Sequence, residues 1–167
     1  MFAQSQNKLS LAAGVNFSSV SSINSTNPDG ALGLNLGVAY KFYMNDLGWF
    51  IKPALFYSQE GWLHQRLNYL NLPTIVGFDF TDDFNFNLGF QYGYLVSGAS
   101  ELGDAVDKSN LAFLIGFEFY PVDAFDVGLR FANGIKNILI EPVNSIEDAR
   151  TYSIQFYFAF NLGKKAK

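Results

Sequence analysis

Large and small residues alternate along most of the chain. In the segment FNFNLGFQYGYLV, residues 84–96, apolar or aromatic residues occupy every second position and small or polar residues occupy the others. This period of two is typical of a β-strand whose two faces meet different surroundings. Seven further segments alternate in the same way, and we find no convincing helical pattern. The eight predicted strands cover residues 8–17, 30–42, 49–59, 70–80, 84–96, 111–119, 125–131 and 152–160.

The connections between these strands alternate between short and long. Short turns are predicted at residues 44–47, 81–83 and 121–124, and long polar links at 18–30, 60–66, 97–109 and 136–149. This order predicts an all-β fold, an eight-stranded antiparallel up-and-down transmembrane β-barrel with short periplasmic turns and long outer loops. Both termini then lie at the end of the short turns. The seventh strand must extend into residues 132–136 to reach the length that a bilayer requires.

The position of the charged residues indicates which face of each strand points outward. The larger-residue face of the eight strands contains no Asp, Glu, Lys or Arg. A Lys or Arg at the centre of a lipid-facing wall costs about 2–4 kcal/mol, which explains a wall without charge. The opposite face is rich in Gly, Ala, Ser and Asn, which fit the narrow interior of an eight-stranded barrel. We therefore expect the aromatic side chains of segment 84–96 to face lipid.

The composition agrees with this orientation. Charged residues make up 16% of the 167 residues, against about 25% in an average soluble protein. The net charge of −4 argues against binding to nucleic acid, which requires a basic surface. The chain has no Cys, which excludes disulfides and thiolate metal sites. The alternative is a soluble ligand-binding barrel. Such a barrel should have charged residues along the whole outer face of its strands, and this chain has too few of them.

We expect one outer-membrane barrel domain over residues 1–167. The N-terminal MFAQSQ resembles the end of a removed signal peptide, so residues 1–7 are predicted to be a periplasmic segment and residues 161–167 a basic C-terminal tail. The predicted localisation is the bacterial outer membrane.

Four short motifs resemble those of a known family of outer-membrane barrels. The motifs are Pro53, Leu55, Tyr57 and Gly61; then Tyr69, Leu70, Leu72 and Pro73; then Gly89, Gln91, Gly93, Tyr94 and Leu95; then Gly134, Asn137 and Ile138. In this pattern and order they resemble the outer-membrane β-barrel family called PorT-like. The resemblance implies an eight-stranded barrel in a Gram-negative outer membrane, and it implies no catalytic residues. Pro53 and Pro73 each remove a hydrogen-bond donor from a strand, and a β-bulge at each is one explanation.

The charged residues of the inner face are the main candidate site. They form a predicted lumen charge network of Lys8, Lys41, Lys52, Asp79, Glu118, Asp126 and Arg130. If the turn at 121–124 sets the register, Glu118 and Asp126 lie nearly opposite each other and need a cation between them. Arg130 and a neighbouring Lys are the expected partners. The network is expected to fill the lumen; the alternative is a path for protons or ions.

The long links hold the remaining candidates. Trp62 and His64 are possible contact residues for a partner, and His64 has no companion residues that would make it catalytic. Glu101, Asp104 and Asp107 do not have the spacing of a calcium loop, so we expect a solvated acidic loop. The apolar segment 137–142 either extends the last two strands or forms a docking surface.

These features favour a non-enzymatic membrane protein. We expect a structural or accessory component that presents its loops to partners, with outer-membrane lipid and other outer-membrane or periplasmic proteins as partners. A narrow channel for small solutes or ions is the alternative. A lipid-modifying or proteolytic enzyme is disfavoured because a single His cannot complete a Ser-His-Asp set. No metal, cofactor or nucleic acid is expected.

Overall fold

Each alternating segment forms a strand in the computed structural model, which describes residues 7–22, 30–62, 65–98, 107–139 and 149–162. The strands are β1 (Lys8–Ser22), β2 (Ala31–Tyr43), β3 (Trp49–Trp62), β4 (Gln65–Asp79), β5 (Phe84–Ser97), β6 (Ser109–Val122), β7 (Phe125–Gly134) and β8 (Ala149–Asn161). The seventh strand extends through Gly134, as its predicted length required. Among the described residues, no helix is long and apolar enough to cross a membrane.

The eight strands form one closed antiparallel barrel. Every strand pairs with its neighbours in sequence, and β1 pairs with β8 to close the sheet. Residues 44–48, 80–83 and 123–124 make short connections at one end, which we call the turn end. The opposite end, where the long links begin and end, is called the loop end. The predicted eight-stranded up-and-down barrel is confirmed.

The outer wall of the barrel is apolar and the interior is polar. Leu129 and Phe90 on the wall are 51% and 56% exposed, whereas Lys52 and Glu118 in the lumen are 4% and 1% exposed. A soluble protein buries its apolar face, and this barrel does the reverse. The predicted orientation of the two faces is therefore confirmed.

Aromatic rings surround the wall near the turn end. Phe84 stacks on Phe119 with ring centroids 4.7 Å apart, and Trp49 contacts Phe78 at 5.1 Å. Pairs of rings on adjacent strands of a sheet stabilise the register of those strands. This arrangement matches the aromatic girdle expected where a barrel meets the membrane surface.

The two strand prolines do not lie at bulges. Pro73 pairs with Gln91 in a continuous ladder, and the register shift between β4 and β5 lies further along, between Asn68 and Tyr69. The β2–β3 register has the same offset on both sides of Pro53. A bulge at each proline, which was one explanation for their position, is therefore ruled out. Each strand keeps its register although one donor is missing, because the ladders on both sides of it hold the alignment.

Candidate functional site

A cluster of polar side chains fills the lumen at the turn end. The Lys41 ammonium lies 3.2 Å from the Asp79 carboxylate and 3.8 Å from the centre of the Phe50 ring. Tyr43 donates a hydrogen bond to Asp79 over 2.7 Å, and Tyr120 donates another over 3.1 Å. Lys41 is thus held by a carboxylate and by aromatic faces, two kinds of group that stabilise a cation.

A buried ion pair crosses the middle of the lumen. Lys52 of β3 donates to Glu118 of β6, strands on different sides of the barrel. Tyr157 donates to the same carboxylate over 2.5 Å, and Asn85 donates over 2.9 Å. The carboxylate therefore has a positive partner and two further donors, which is what an ion pair removed from water requires.

Arg130 has different partners from those predicted. Its side chain is 2% exposed, donates to the Tyr157 hydroxyl over 3.2 Å and lies 5.0 Å and 5.7 Å from the ring centres of Tyr157 and Phe56. The positive partner of Glu118 is Lys52, so the pairing predicted for Arg130 is wrong. The ring of Tyr157 takes this place because Gly128 has no side chain: a Cβ on Gly128 would lie 2.1 Å from the ring.

Asp126 and Lys8 lie closer to the turn end. Asp126 accepts a hydrogen bond from Asn161 over 2.8 Å, and the Lys8 ammonium lies 5.5 Å from the centre of the Tyr120 ring. Glu118 pairs with Gly128, and Asp126 lies one inward position further towards the turn. The two carboxylates are therefore diagonal neighbours rather than directly opposite each other.

Glu60 is a lumen carboxylate that the sequence analysis assigned to a loop. The strand β3 continues to Trp62, three residues beyond its predicted end, and this extension places Glu60 inside the barrel with 4% exposure. Asn71 donates to its carboxylate over 2.8 Å. The alternation itself held the signal, because Ser58 and Glu60 continue the inward parity of Lys52.

An apolar cluster closes the lumen at the loop end. We call it the cap, and its buried members are Val20, Leu67, Tyr69, Ile138 and Ala149. The Ile138 amide donates to the Ala149 carbonyl over 2.9 Å, and the Ala149 amide donates to the Asn137 side chain over 3.0 Å. Of the two alternatives for 137–142, a docking surface does not fit Ile138, which is fully buried. Residues 140–142 lie outside the described residues.

One ion pair joins two of the long links. The Lys136 ammonium lies 2.6 Å from the Asp107 carboxylate, and the two side chains are 40% and 31% exposed. The hydrogen bond from the Lys136 ammonium, with others from Ser109, lowers the pKa of Asp107 from its ordinary 3.8 to about 2. The acidic loop was expected to be solvated, and Asp107 is paired instead. Glu101 and Asp104 lie outside the described residues.

The structure does not describe the side chains of the two possible loop-contact residues, Trp62 and His64. Trp62 ends β3, and its side chain lies outside what the structure describes, as does the whole of His64. Within the described residues, no group of three or more His, Cys, Asp or Glu side chains could hold a metal ion.

The fold is that of known outer-membrane barrels, although no family model and no curated protein matches the sequence. The attachment invasion locus protein Ail of Yersinia pestis aligns with 95% of this chain and 100% of its own, at 13% identity and a TM-score of 0.62. The Neisserial surface protein A, NspA, aligns with 92% of this chain and 97% of its own, at 12% identity and 0.63. The outer-membrane enzyme PagL aligns with 88% of this chain and 98% of its own, at 10% identity and 0.52. At these identities the likeness shows the fold, the closed eight-stranded barrel of outer-membrane proteins.

Proposed function

We propose that this chain is an integral protein of a bacterial outer membrane that has no catalytic activity and presents its outer loops to partners. The apolar wall supports the localisation, because only hydrocarbon tolerates such a surface around a closed barrel. The fold shared with Ail and NspA supports it as well. Under this proposal, the short turns face the periplasm and the long links face outward.

The observation that supports this role most strongly is the filled lumen. Arg130, Tyr157 and the Lys52–Glu118 pair occupy its middle, and the cap occupies the loop end. An eight-stranded barrel has an interior that side chains just fill. A barrel filled in this way works as an anchor for its loops, and the alternative of a narrow channel loses its support.

The buried polar groups also support the absence of catalysis. PagL shows that an enzyme can have this fold. Here, the carboxylates Asp79 and Glu118 lie inside the barrel, held by cations and by tyrosine or amide donors. A catalytic carboxylate must reach its substrate, and these do not. The chain also contains a single His and no Cys.

Conductance in planar bilayers separates the anchor from the channel. We expect no steady current steps from the purified wild-type barrel. A double variant, Arg130→Ser with Tyr157→Ser, removes the two largest side chains from the middle of the lumen and tests the sensitivity of the recording. Steady steps from the wild-type protein would replace our proposal with the channel.

The role of the loops is tested by shortening them one at a time. We expect proteins that co-purify from native membranes in mild detergent to be lost when residues 140–148 or 99–106 are shortened. Shortening the turn at 81–83 is the matched control, because it changes the other end of the barrel, and it should retain the same proteins. Equal loss from the control, or no effect of either loop, would contradict a role in presenting loops.

We further propose that the chain is a PorT-like barrel, and the placement of its motif residues supports this. Pro53, Leu55 and Tyr57 all point outward from β3. Gly61 has a φ of 129°, which residues with a side chain rarely adopt. Its N–H donates to the Ser18 hydroxyl, and that hydroxyl donates to the Gly61 carbonyl. Outer-membrane and periplasmic proteins are the partners expected of such a barrel, and the loop experiment would identify them.

A further inference from the structure

The loop-end half of the lumen contains a buried carboxylate without a positive partner. Glu60 accepts hydrogen bonds from Asn71, over 2.8 Å, and from Ser58. Within the described part of the chain, the ion pairs join Lys41 to Asp79, Lys52 to Glu118 and Lys136 to Asp107, and none includes Glu60. A buried carboxylate is costly unless an opposite charge or a proton neutralises it.

A second acceptor oxygen lies next to Glu60 and has no donor. The Asn16 amide nitrogen donates to Ser58 over 2.8 Å, which leaves the amide oxygen without a hydrogen-bond partner although Asn16 is fully buried. This oxygen lies 2.5 Å from the place that a Cβ on Gly33 would take. Asn16 pairs with Gly33, and the backbone carbonyl of Gln59, the residue before Glu60, also approaches this Cβ position. The oxygen of Asn16 therefore lies against Gly33, beside the part of β3 that carries Ser58 and Glu60.

A third buried oxygen belongs to the same group. The side-chain oxygen of Asn35 has no partner, and Asn35 pairs with Ser58, the residue that donates to Glu60. Three acceptor side chains therefore surround one region of the lumen, and only one of them is charged. Buried acceptors are normally satisfied by donors or by a cation. Oxygen atoms of carboxylates and amides are the ligands that hard metal cations prefer.

We propose that this region binds one monovalent metal cation, sodium or potassium, through Glu60, Asn16 and Asn35. A single positive charge matches the single carboxylate. Glu60, Asn16 and Asn35 are 4%, 0% and 2% exposed, so a cation between them is enclosed when the barrel folds. The site is independent of the role of the loops, and it would exist whether or not the barrel has partners.

The first test compares cations during folding. The barrel is refolded in detergent at pH 8 in choline chloride, in which NaCl or KCl replaces choline at constant ionic strength. Unfolding is followed by the fluorescence of the tryptophans, of which Trp49 lies on the outer wall. We expect one of the two salts to raise the melting temperature by about 2–4 °C in a saturable way. Equal melting temperatures in all three salts would overturn the proposal, and so would a response to CaCl₂ alone.

Variants then connect the effect to these residues. Glu60→Gln keeps the size of the side chain and removes its charge, so it should abolish the response to salt. Asn16→Ala should raise the half-saturating salt concentration about tenfold or more. The Asp107→Asn control changes a partly exposed carboxylate outside this region and should respond to salt like wild type. A full response to salt in Glu60→Gln would overturn the proposal.

The dependence on pH separates a bound cation from a bound proton. If the melting temperature changes with pH between 6 and 9 and does not depend on the cation, a proton neutralises Glu60. This result would also overturn the proposal.

Discussion

The buried carboxylate of Glu118 accepts hydrogen bonds from Lys52, Tyr157 and Asn85. Glu118→Gln would leave the buried ammonium of Lys52 without its charge partner. Removing one member of a buried ion pair typically costs about 3–5 kcal/mol. We therefore expect a loss of this size in the free energy of unfolding, measured by urea titration in detergent.

The control for this prediction removes both charges together. Lys52→Met combined with Glu118→Gln leaves no unpaired charge, so the double variant should be more stable than Glu118→Gln alone. An unfolding free energy of Glu118→Gln equal to that of wild type would contradict a stabilising network. A double variant less stable than the single one would show that Lys52 has another partner.

The packing of Tyr157 depends on a residue without a side chain. A Cβ on Gly128 would lie 2.1 Å from the Tyr157 ring, so Gly128→Ala must displace the ring and its hydrogen bond to Glu118. Overpacking of this kind costs about 1–3 kcal/mol, which urea unfolding in detergent would measure. Gly98→Ala is the control, because its nearest neighbour, a flexible Leu67 methyl, would be 3.2 Å away. Equal stability of the two variants would contradict the prediction.

Sequence alternation was sufficient to place the charged residues but not to pair them. Lys52 and Glu118 have the inward parity of their strands, and both are buried. Their pairing depends on the tilt of β3 relative to β6 across the lumen, which no local pattern encodes. Arg130 was assigned to a carboxylate by charge alone, whereas Gly128 and Tyr157 create an aromatic environment for it.

At the scale of elements, the ends of the strands were the least predictable feature. The polar residues of segment 60–66 suggested a loop. Glu60 and Gly61 nevertheless continue β3, because the barrel interior accepts polar side chains. The segment 137–139 was apolar enough to suggest a docking surface or longer strands. The segment packs into the loop end of the barrel instead, because Ile138 packs in one buried cluster with the apolar residues Leu67 and Tyr69.

The Asp107–Lys136 pair links the β5–β6 and β7–β8 connections, and its contribution should depend on pH. The folded-state pKa of Asp107 is lowered from 3.8 to about 2, so its stabilising effect is present above pH 4 and is lost as the pH falls towards 2. Both side chains are partly exposed, so the contribution should stay below about 1 kcal/mol.

The measurement compares wild type with Asp107→Asn by urea unfolding at pH 7 and pH 2. We expect the variant to be less stable at pH 7 and nearly equal to wild type at pH 2, where Asp107 is about half protonated in the folded protein. Asp82→Asn, in an exposed turn, is the control for removal of a surface carboxylate and should match wild type at pH 7. A difference between wild type and Asp107→Asn that persists unchanged at pH 2 would contradict the ion pair.

At the scale of the whole molecule, the barrel was predictable because two patterns agree. The alternation requires a sheet with one apolar and one polar face, and the alternating lengths of the connections require neighbouring strands to pair. Closure follows because the apolar face needs hydrocarbon outside and an open edge would leave unsatisfied backbone groups there. The function was less predictable, because Ail, NspA and PagL share this fold while their names describe different proteins.

The orientation of the whole barrel can be tested with one charge at two depths. Leu129 lies near the middle of the outer wall, and Val96 lies near the loop end; they are 51% and 58% exposed. An Arg at the centre of a bilayer costs about 2–4 kcal/mol, and one near the surface costs about 0–1 kcal/mol. We therefore expect Leu129→Arg to destabilise the barrel in lipid vesicles much more than Val96→Arg does, measured by reversible unfolding in urea. Both variants should have similar stability if the wall faces water, so an equal and small effect would contradict the membrane-spanning orientation. A large effect only at Leu129 would place the midplane of the bilayer at this level of β7, and it would fix the depth of the lumen network beneath it.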